Sequence, residues 1–285
     1  MQNAGSIENK GFEFQVSSKN ITKSNFKWNT DFNIYFNNSK VINIVGTTLY
    51  TGAINPSGNS VNISLVQAGL PLGSFYGFVS EGVDPATGLI KYKDLDNNGV
   101  IDGNDQTVIG NANPKYTFGV TNSLSYKNFS LDVFFQGVQG NDVFNATRIL
   151  TESMALPMNQ SAKVLKRWKN PGDITNIPGV SPYNWDNSAV SSRYIEDGSY
   201  VRLKALTIGY SLPKKKIEKV KMSRCMFYFT AENLLTFTHY SGFDPEVSMF
   251  SGSGKGATNQ NTSPGVDYGT YPQSRDFIIG ANISF

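Results

Sequence analysis

Alternation at period two, sustained over the length of a membrane-crossing strand, is the feature that most limits how this chain can fold. Phe26, Trp28, Thr30, Phe32, Ile34 and Phe36 occupy one parity, and Lys27, Asn29, Asp31, Asn33 and Tyr35 the other. Successive side chains of a strand point to opposite faces, so this segment separates an apolar from a polar medium. Its length matches the roughly 9–11 residues that a tilted strand needs to cross a bilayer. Tyr116, Phe118, Val120, Leu124 and Tyr126 repeat the pattern against Thr117, Gly119, Thr121, Ser123 and Ser125, and a turn at Lys127-Asn128 leads into Phe129, Leu131, Val133 and Phe135. Phe12, Phe14 and Val16 form a shorter version upstream. Phe277, Ile279, Ala281, Ile283 and Phe285 form another downstream, with Ile278 the apolar exception on the polar parity.

Composition fits strands facing two media. Charged residues are 16% of the 285, against about 25% in soluble domains. Aromatics reach 13%, yet mean hydropathy is only −0.30 and no apolar run approaches the ~18 residues of a membrane helix. A barrel reconciles these facts, because only alternate residues face lipid. A β-sandwich would carry more Lys and Glu on its wet face, whereas the polar parity here is rich in Asn, Ser, Thr and Gln. A net charge of +3, scattered along the chain, argues against nucleic acid. The single Cys225 and the single His239 have no partners for disulfide, metal or acid–base chemistry and read as structural. Met1 to Asn9 has neither a basic start nor an apolar core, so an export signal is expected upstream.

Less regular strands are expected at Ser60–Gln67, Ser74–Glu81, Ser199–Leu212 and Arg224–Leu235, the alternation slipping between Ala205 and Leu206 as at a bulge. The expected fold is therefore all-β, an antiparallel transmembrane β-barrel portion of about nine strands over residues 1–285, without a plug domain. Connections alternate between short (Lys19–Asn25, Ala68–Gly73, Lys127–Asn128, Pro213–Ser223) and long (Ser39–Asn59, Gly82–Pro114, Gly140–Gly198, Thr236–Ser274). Bacterial barrels have short periplasmic turns and long extracellular loops. That parity places Phe285 on the periplasmic side.

Asp94, Asp96, Asn98, Val100, Asp102 and Asp105 carry the spacing of an EF-hand calcium loop, with Gly99 at the turn position. All donors are oxygen, which suits Ca²⁺. Asp105 replaces the usual Glu and no amphipathic helices flank the loop, so a structural ion is expected rather than a switch. The competing reading is an Asx-rich turn that holds itself. Ser161 to Lys169 allows two helical turns ended by Asn170-Pro171. Lys214, Lys215, Lys216, Lys219 and Lys221 crowd one short turn and read as solvated, and Asp244 and Glu246 flank Pro245 in a turn. Gly252, Gly254 and Gly256 follow no strand and do not form a phosphate loop. Without catalytic spacing, the chain reads as a non-enzyme.

Gly280, Ile283 and Phe285 resemble the barrel-assembly signal of bacterial outer-membrane proteins. Further segments resemble, in order, the C-terminal part of SusC/RagA-type TonB-dependent transporters of the Bacteroidetes. They are Ile7–Phe14, Gly73–Val83, Tyr92–Pro114, Arg167–Pro178, Asp197–Pro213, Glu232–Val247 and the last strand. The resemblance implies a barrel of about 22 strands around a plug. It implies import of glycans, oligosaccharides or peptides through the cell outer membrane, with membrane lipid around the wall and a SusD-like surface lipoprotein as lid. Energy would come from the TonB complex pulling on an N-terminal TonB box and plug that this sequence does not contain. On this reading the loops Gly140–Gly198 and Thr236–Ser274 face lipoprotein and cargo, and the polar parity holds cargo weakly at many points. The alternative is a secreted or surface β-rich binding or adhesion module with a calcium-stapled loop.

Overall fold

A computed structural model of the chain describes residues 5–56, 60–181, 185–247 and 262–285. The glycines at 252, 254 and 256 lie outside the described residues. A long hairpin, β1 (Gly5–Lys23) and β2 (Phe26–Ile44), comes first. The connection after it holds β3 (Thr48–Ile54), β4 (Val61–Gln67), β5 (Ser74–Phe78), β6 (Ser80–Val83), β7 (Ile90–Tyr92) and β8 (Gln106–Asn111). A second hairpin, β9 (Tyr116–Tyr126) and β10 (Phe129–Gln139), precedes β11 (Asp142–Asn145), the helix α1 (Thr147–Glu152) and β12 (Ile195–Asp197). Then follow β13 (Tyr200–Ser211), the short helix α2 (Lys214–Ile217), β14 (Arg224–Thr238), β15 (Val266–Asp267) and β16 (Asp276–Ser284).

Seven strands form one antiparallel sheet in the order β1-β2-β9-β10-β13-β14-β16. Directly paired residues share a face, and the register therefore shows what each face carries. Phe26, Tyr126, Phe129, Tyr210 and Phe227 make one aromatic row at the short-turn ends. Trp28, Leu124, Leu131, Ile208, Phe229 and Ile279 make the row above it. Thr30 and Asn122 interrupt the face but bond to each other at 2.8 Å. The opposite face reads Asn33, Gly119, Gln136, Arg202 and Thr236 across one row. Ile279 is 84% and Phe277 62% exposed, among many exposed large apolar side chains on this face, and clustered exposed apolar residues mark a contact surface.

The hydrophobic core lies elsewhere, in the long connections. Ile63, Phe75, Phe144, Ile149, Tyr194 and Val266 pack together where a four-stranded sheet (β3-β4-β5-β8) meets a three-stranded one (β12-β11-β15). Here the sequence expectation needs correction. The segments Ser60–Gln67 and Ser74–Glu81 do not cross in the large sheet; they form β4, β5 and β6 in the smaller sheets. Both faces of β4 and β5 are buried, which explains their weak alternation. Seven strands in place of nine leave the parity intact, because two were removed between the same pair of crossings. Short turns still lie on one side and Ser284 still ends there, its carbonyl accepting from Ser223 N at 2.8 Å.

Other boundaries shift as well. The hairpin strands are 19 residues each rather than about eleven. At ~3.3 Å per residue and a tilt of about 40° they span roughly 45 Å, nearly twice the ~25 Å apolar band of such barrels. β2 pairs with β9 only up to Tyr35, so the upper hairpin stands clear of the sheet. It is tied to the smaller sheets by Val41, which donates to Leu70 O at 2.9 Å and accepts from Gly69 N at 2.8 Å. The bulge in β13 falls at Lys204, one residue before the expected slip. The helical segment near residue 165 is a 3₁₀ turn over Ala162–Lys166.

Candidate functional site

The acidic loop joins β7 to β8. Asp94 accepts from Asn98 N at 3.2 Å and from Gly99 N at 2.8 Å, and Asn98 Oδ1 accepts from Val100 N at 2.7 Å. Gly99 takes φ +84°, the left-handed conformation that closes the turn. Asp105 is fully buried and accepts from Leu95 N at 2.7 Å and Asp102 N at 2.8 Å. Carboxylate oxygens of Asp94, Asp96 and Asp105 can lie within 4.8 Å of one another. Asp102 is outside that group: it caps the 3₁₀ turn Gly103–Asp105 by accepting from Asn104 N at 2.7 Å. The hydrogen bond from Gly99 holds the Asp94 carboxyl below its usual range. Asp96 is pushed up, by lost hydration first and by the charges of Asp105 and Asp94 with it. Three converging oxygen donors that repel one another fit a hard cation such as Ca²⁺. The Asx turns expected from the competing reading are present too.

On the polar face of the sheet, Arg202 of β13 is 1% exposed. Its Nη2 donates to Asp244 at 2.5 Å, Nη1 to Glu246 at 2.9 Å and Nε to Thr236 of β14 at 3.0 Å. Asp244 also accepts from Gln273 N at 3.0 Å, so one guanidinium fixes both ends of the connection between β14 and β16. Asp244 and Glu246 therefore do more than shape a turn. A cleft of about 380 Å³ opens beside them, lined by Arg202, Asn233, Phe243 and Arg275 among others.

A second network anchors α1. Arg148 donates to Glu152 at 2.9 Å and to Glu196 at 3.0 Å, and Lys163 pairs with Glu152 at 3.0 Å. Burial pushes the Glu152 carboxyl up, but Arg148 and Lys163 outweigh it and leave the group below its ordinary value. These two networks escaped sequence reasoning. The only signal was Arg202 on the polar parity of a strand, whose carboxylate partners lie more than forty residues away.

Of the remaining expected residues, Cys225 is buried in β14 and His239 is exposed. Gly280 faces Tyr228 across β14 and β16, and a Cβ added there would lie 2.3 Å from the ring. Ile283 pairs with Cys225, and Phe285 is 86% exposed just beyond β16.

No family model matches the sequence. Among curated proteins the chain is 35% identical over 301 residues to TonB-dependent receptor P3 of Formosa agariphila and 30% identical over 299 residues to receptor P26 of the same organism. It is 25% identical over 301 residues to TonB-dependent receptor SusC of Bacteroides thetaiotaomicron. Each alignment covers 100% of this chain but only 29%, 30% and 27% of those proteins, so the chain spans under a third of their length. Among solved structures, the RagAB peptide transporter superposes with a TM-score of 0.79 at 24% identity, over 100% of this chain and 30% of that one. The same importer in its closed-closed state gives 0.77 at 25% identity, again over 30% of its chain. Over its whole length the chain is similar to a portion of TonB-dependent receptors, SusC among them, and it shares the fold of the matching C-terminal part of the RagAB transporter.

Proposed function

We propose that this stretch forms part of the wall and outer mouth of a TonB-driven importer in the outer membrane, carrying oligosaccharides or peptides. The observation that carries the reading is the seven-stranded sheet with one apolar exposed face and one polar face, in a chain 35% identical to a TonB-dependent receptor. The apolar face meets lipid, and the Asn, Thr, Gln and Tyr of the other face line the lumen. Weak contacts at many points suit passage, whereas one deep site would trap cargo. The cleft at Phe243 and Arg202 stands at the outer mouth, where a SusD-like lipoprotein would close over it. The TonB complex acts through a plug and TonB box outside this stretch. The similarity to TonB-dependent receptors and to a peptide transporter supports transport rather than catalysis. Gly280, Ile283 and Phe285 serve as the assembly signal, and Asp94, Asp96 and Asp105 hold a structural Ca²⁺.

The test is growth on single nutrients. Cells lacking the receptor that contains this stretch lose growth on one class of oligosaccharide or peptide and recover it with the intact gene. Normal growth on every such nutrient, or recovery of the receptor in the soluble fraction, would sink the reading.

A further inference from the structure

The short-turn rim of the large sheet carries a charge that neither the fold nor the transport role accounts for. Lys23 and Lys27 flank the turn between β1 and β2, and Lys127 forms the turn between β9 and β10. Residues 212–224, between and at the ends of β13 and β14, add five lysines and Arg224. The rim thus holds nine of the chain's 25 basic residues and one, Glu218, of its 22 acidic ones. Sixteen basic against twenty-one acidic residues remain, so the rest of the chain is net acidic while the whole is +3. The charge is concentrated, not scattered as the sequence order suggests.

Local structure explains little of it: Lys127 Nζ lies 5.2 Å from the centre of the Tyr126 ring and Arg224 donates to Met226 Sδ at 3.7 Å. Lys214 and Glu218 approach only to 3.9 Å with side chains 81% and 58% exposed, and no other ion pair involves the rim among the described residues. Lys127 at φ +51° and Lys221 at φ +58° sit in the left-handed conformation, where Gly or Asn is the usual choice in such turns. Two turns therefore keep a lysine against their own backbone preference. In the third turn Ile217 is buried and anchors α2, and the lysines around it are exposed.

The place of the rim indicates its partner. Apart from Lys27, which pairs with Ser125 on the polar face, it lies immediately beyond the aromatic row of Phe26, Tyr126, Phe129, Tyr210 and Phe227. Aromatic rows of this kind sit at headgroup depth, and long lysine side chains reach from there to phosphate. Clusters of roughly 4–8 basic residues next to a membrane segment attract anionic lipid. We propose that the rim binds anionic phospholipid headgroups of the leaflet on the short-turn side, and so fixes the depth of the wall in the membrane. This inference rests on the reading of the sheet as membrane-spanning.

Two measurements separate the inference from the reading beneath it. The whole receptor carrying this stretch is placed in nanodiscs of equal phosphatidylethanolamine and phosphatidylglycerol, and the lipids retained on release are counted by native mass spectrometry. Phosphatidylglycerol should be retained several-fold over its share. The exposed-site variant Lys214→Gln, Lys215→Gln, Lys216→Gln, Lys219→Gln, Lys221→Gln should bring the ratio close to disc composition, as should ~1 M salt, where the screening length falls to ~3 Å. Retention at disc composition in the unaltered protein, or an unchanged preference in the variant, overturns the inference. Insertion itself is read from Trp28, on the apolar face and 37% exposed, by quenching with brominated phosphatidylethanolamine, Trp28→Phe serving as blank. Absent quenching overturns the membrane reading as well; quenching without headgroup preference overturns the lysine inference alone.

Discussion

Arg202 and Gly280 show how much a single position can decide here, and how little of it a sequence reveals. Asp244 is 6% exposed, and its charge is tolerable only because Arg202 faces it. Removing one partner of a buried pair leaves the other unpaired, at about 3–5 kcal/mol. Arg202→Ala should therefore cost about that much and free the connection at 239–247, seen as faster proteolysis there; the double change Arg202→Met, Asp244→Leu should recover much of it. Proteolysis no faster than in the parent would count against the clasp. Gly280 was legible as a signal residue from spacing alone, but its physical reason was not, because Tyr228 lies fifty-two residues away in sequence and arrives only through pairing. Gly280→Val should force the ring aside and lower the folded fraction on heat-modifiable gels. Adding Tyr228→Ala should restore part of that fraction, and equal loss in both variants would show that the ring is not the reason.

Among elements, the long hairpins were legible because one face of each meets a different medium from the other, so period two is written along β2, β9 and β10. β4 and β5 were misplaced because both of their faces are buried, and an apolar run of five to seven residues does not say which sheet it joins. The acidic loop was legible in its turns, whereas the cap that Asp102 makes for the 3₁₀ turn Gly103–Asp105 was not. Asp96 is exposed, and its carboxylate accepts only from the Asn98 backbone and side-chain N–H groups, within the loop. Asp96→Asn should accordingly leave the fold intact while lowering Ca²⁺ affinity at least tenfold by calorimetry, and chelator should speed cleavage within 82–114 in the parent alone. Equal cleavage with and without calcium would leave a self-held turn. The α1 network makes a pH prediction. The folded pKa of Glu152 lies below its unfolded value, so its contribution is present above the ordinary carboxylate range and is lost as pH falls through the folded pKa. Hydrogen exchange over 145–153 should quicken in acid, and Glu152→Gln should flatten that dependence. An acid response identical in the variant would assign it to another group.

At the scale of the whole molecule, two different interiors are joined in one chain. The connections bury a core of their own, whereas the sheet leaves its apolar face exposed, to be covered by lipid on the proposed reading. The proposed orientation puts the connections outside the cell and the basic rim within the periplasm, so protease added to intact cells should cut within 45–115, 140–199 or 239–275 and spare 212–223. Cleavage at the lysine turn from outside would reverse the orientation. The fold class was legible because it depends on alternation, which is local. The position of the core was not, because it depends on strands meeting from β3 to β15.

The separation of core from wall has a consequence for how the protein comes to rest. Strands can be threaded across a bilayer while extended, but the cluster around Phe75, Phe144 and Tyr194 can close only after its segments have reached the far side. On the proposed membrane reading, the packed cluster acts as a toggle behind a buttonhole, holding the strands across the bilayer once the connections have closed on the far side.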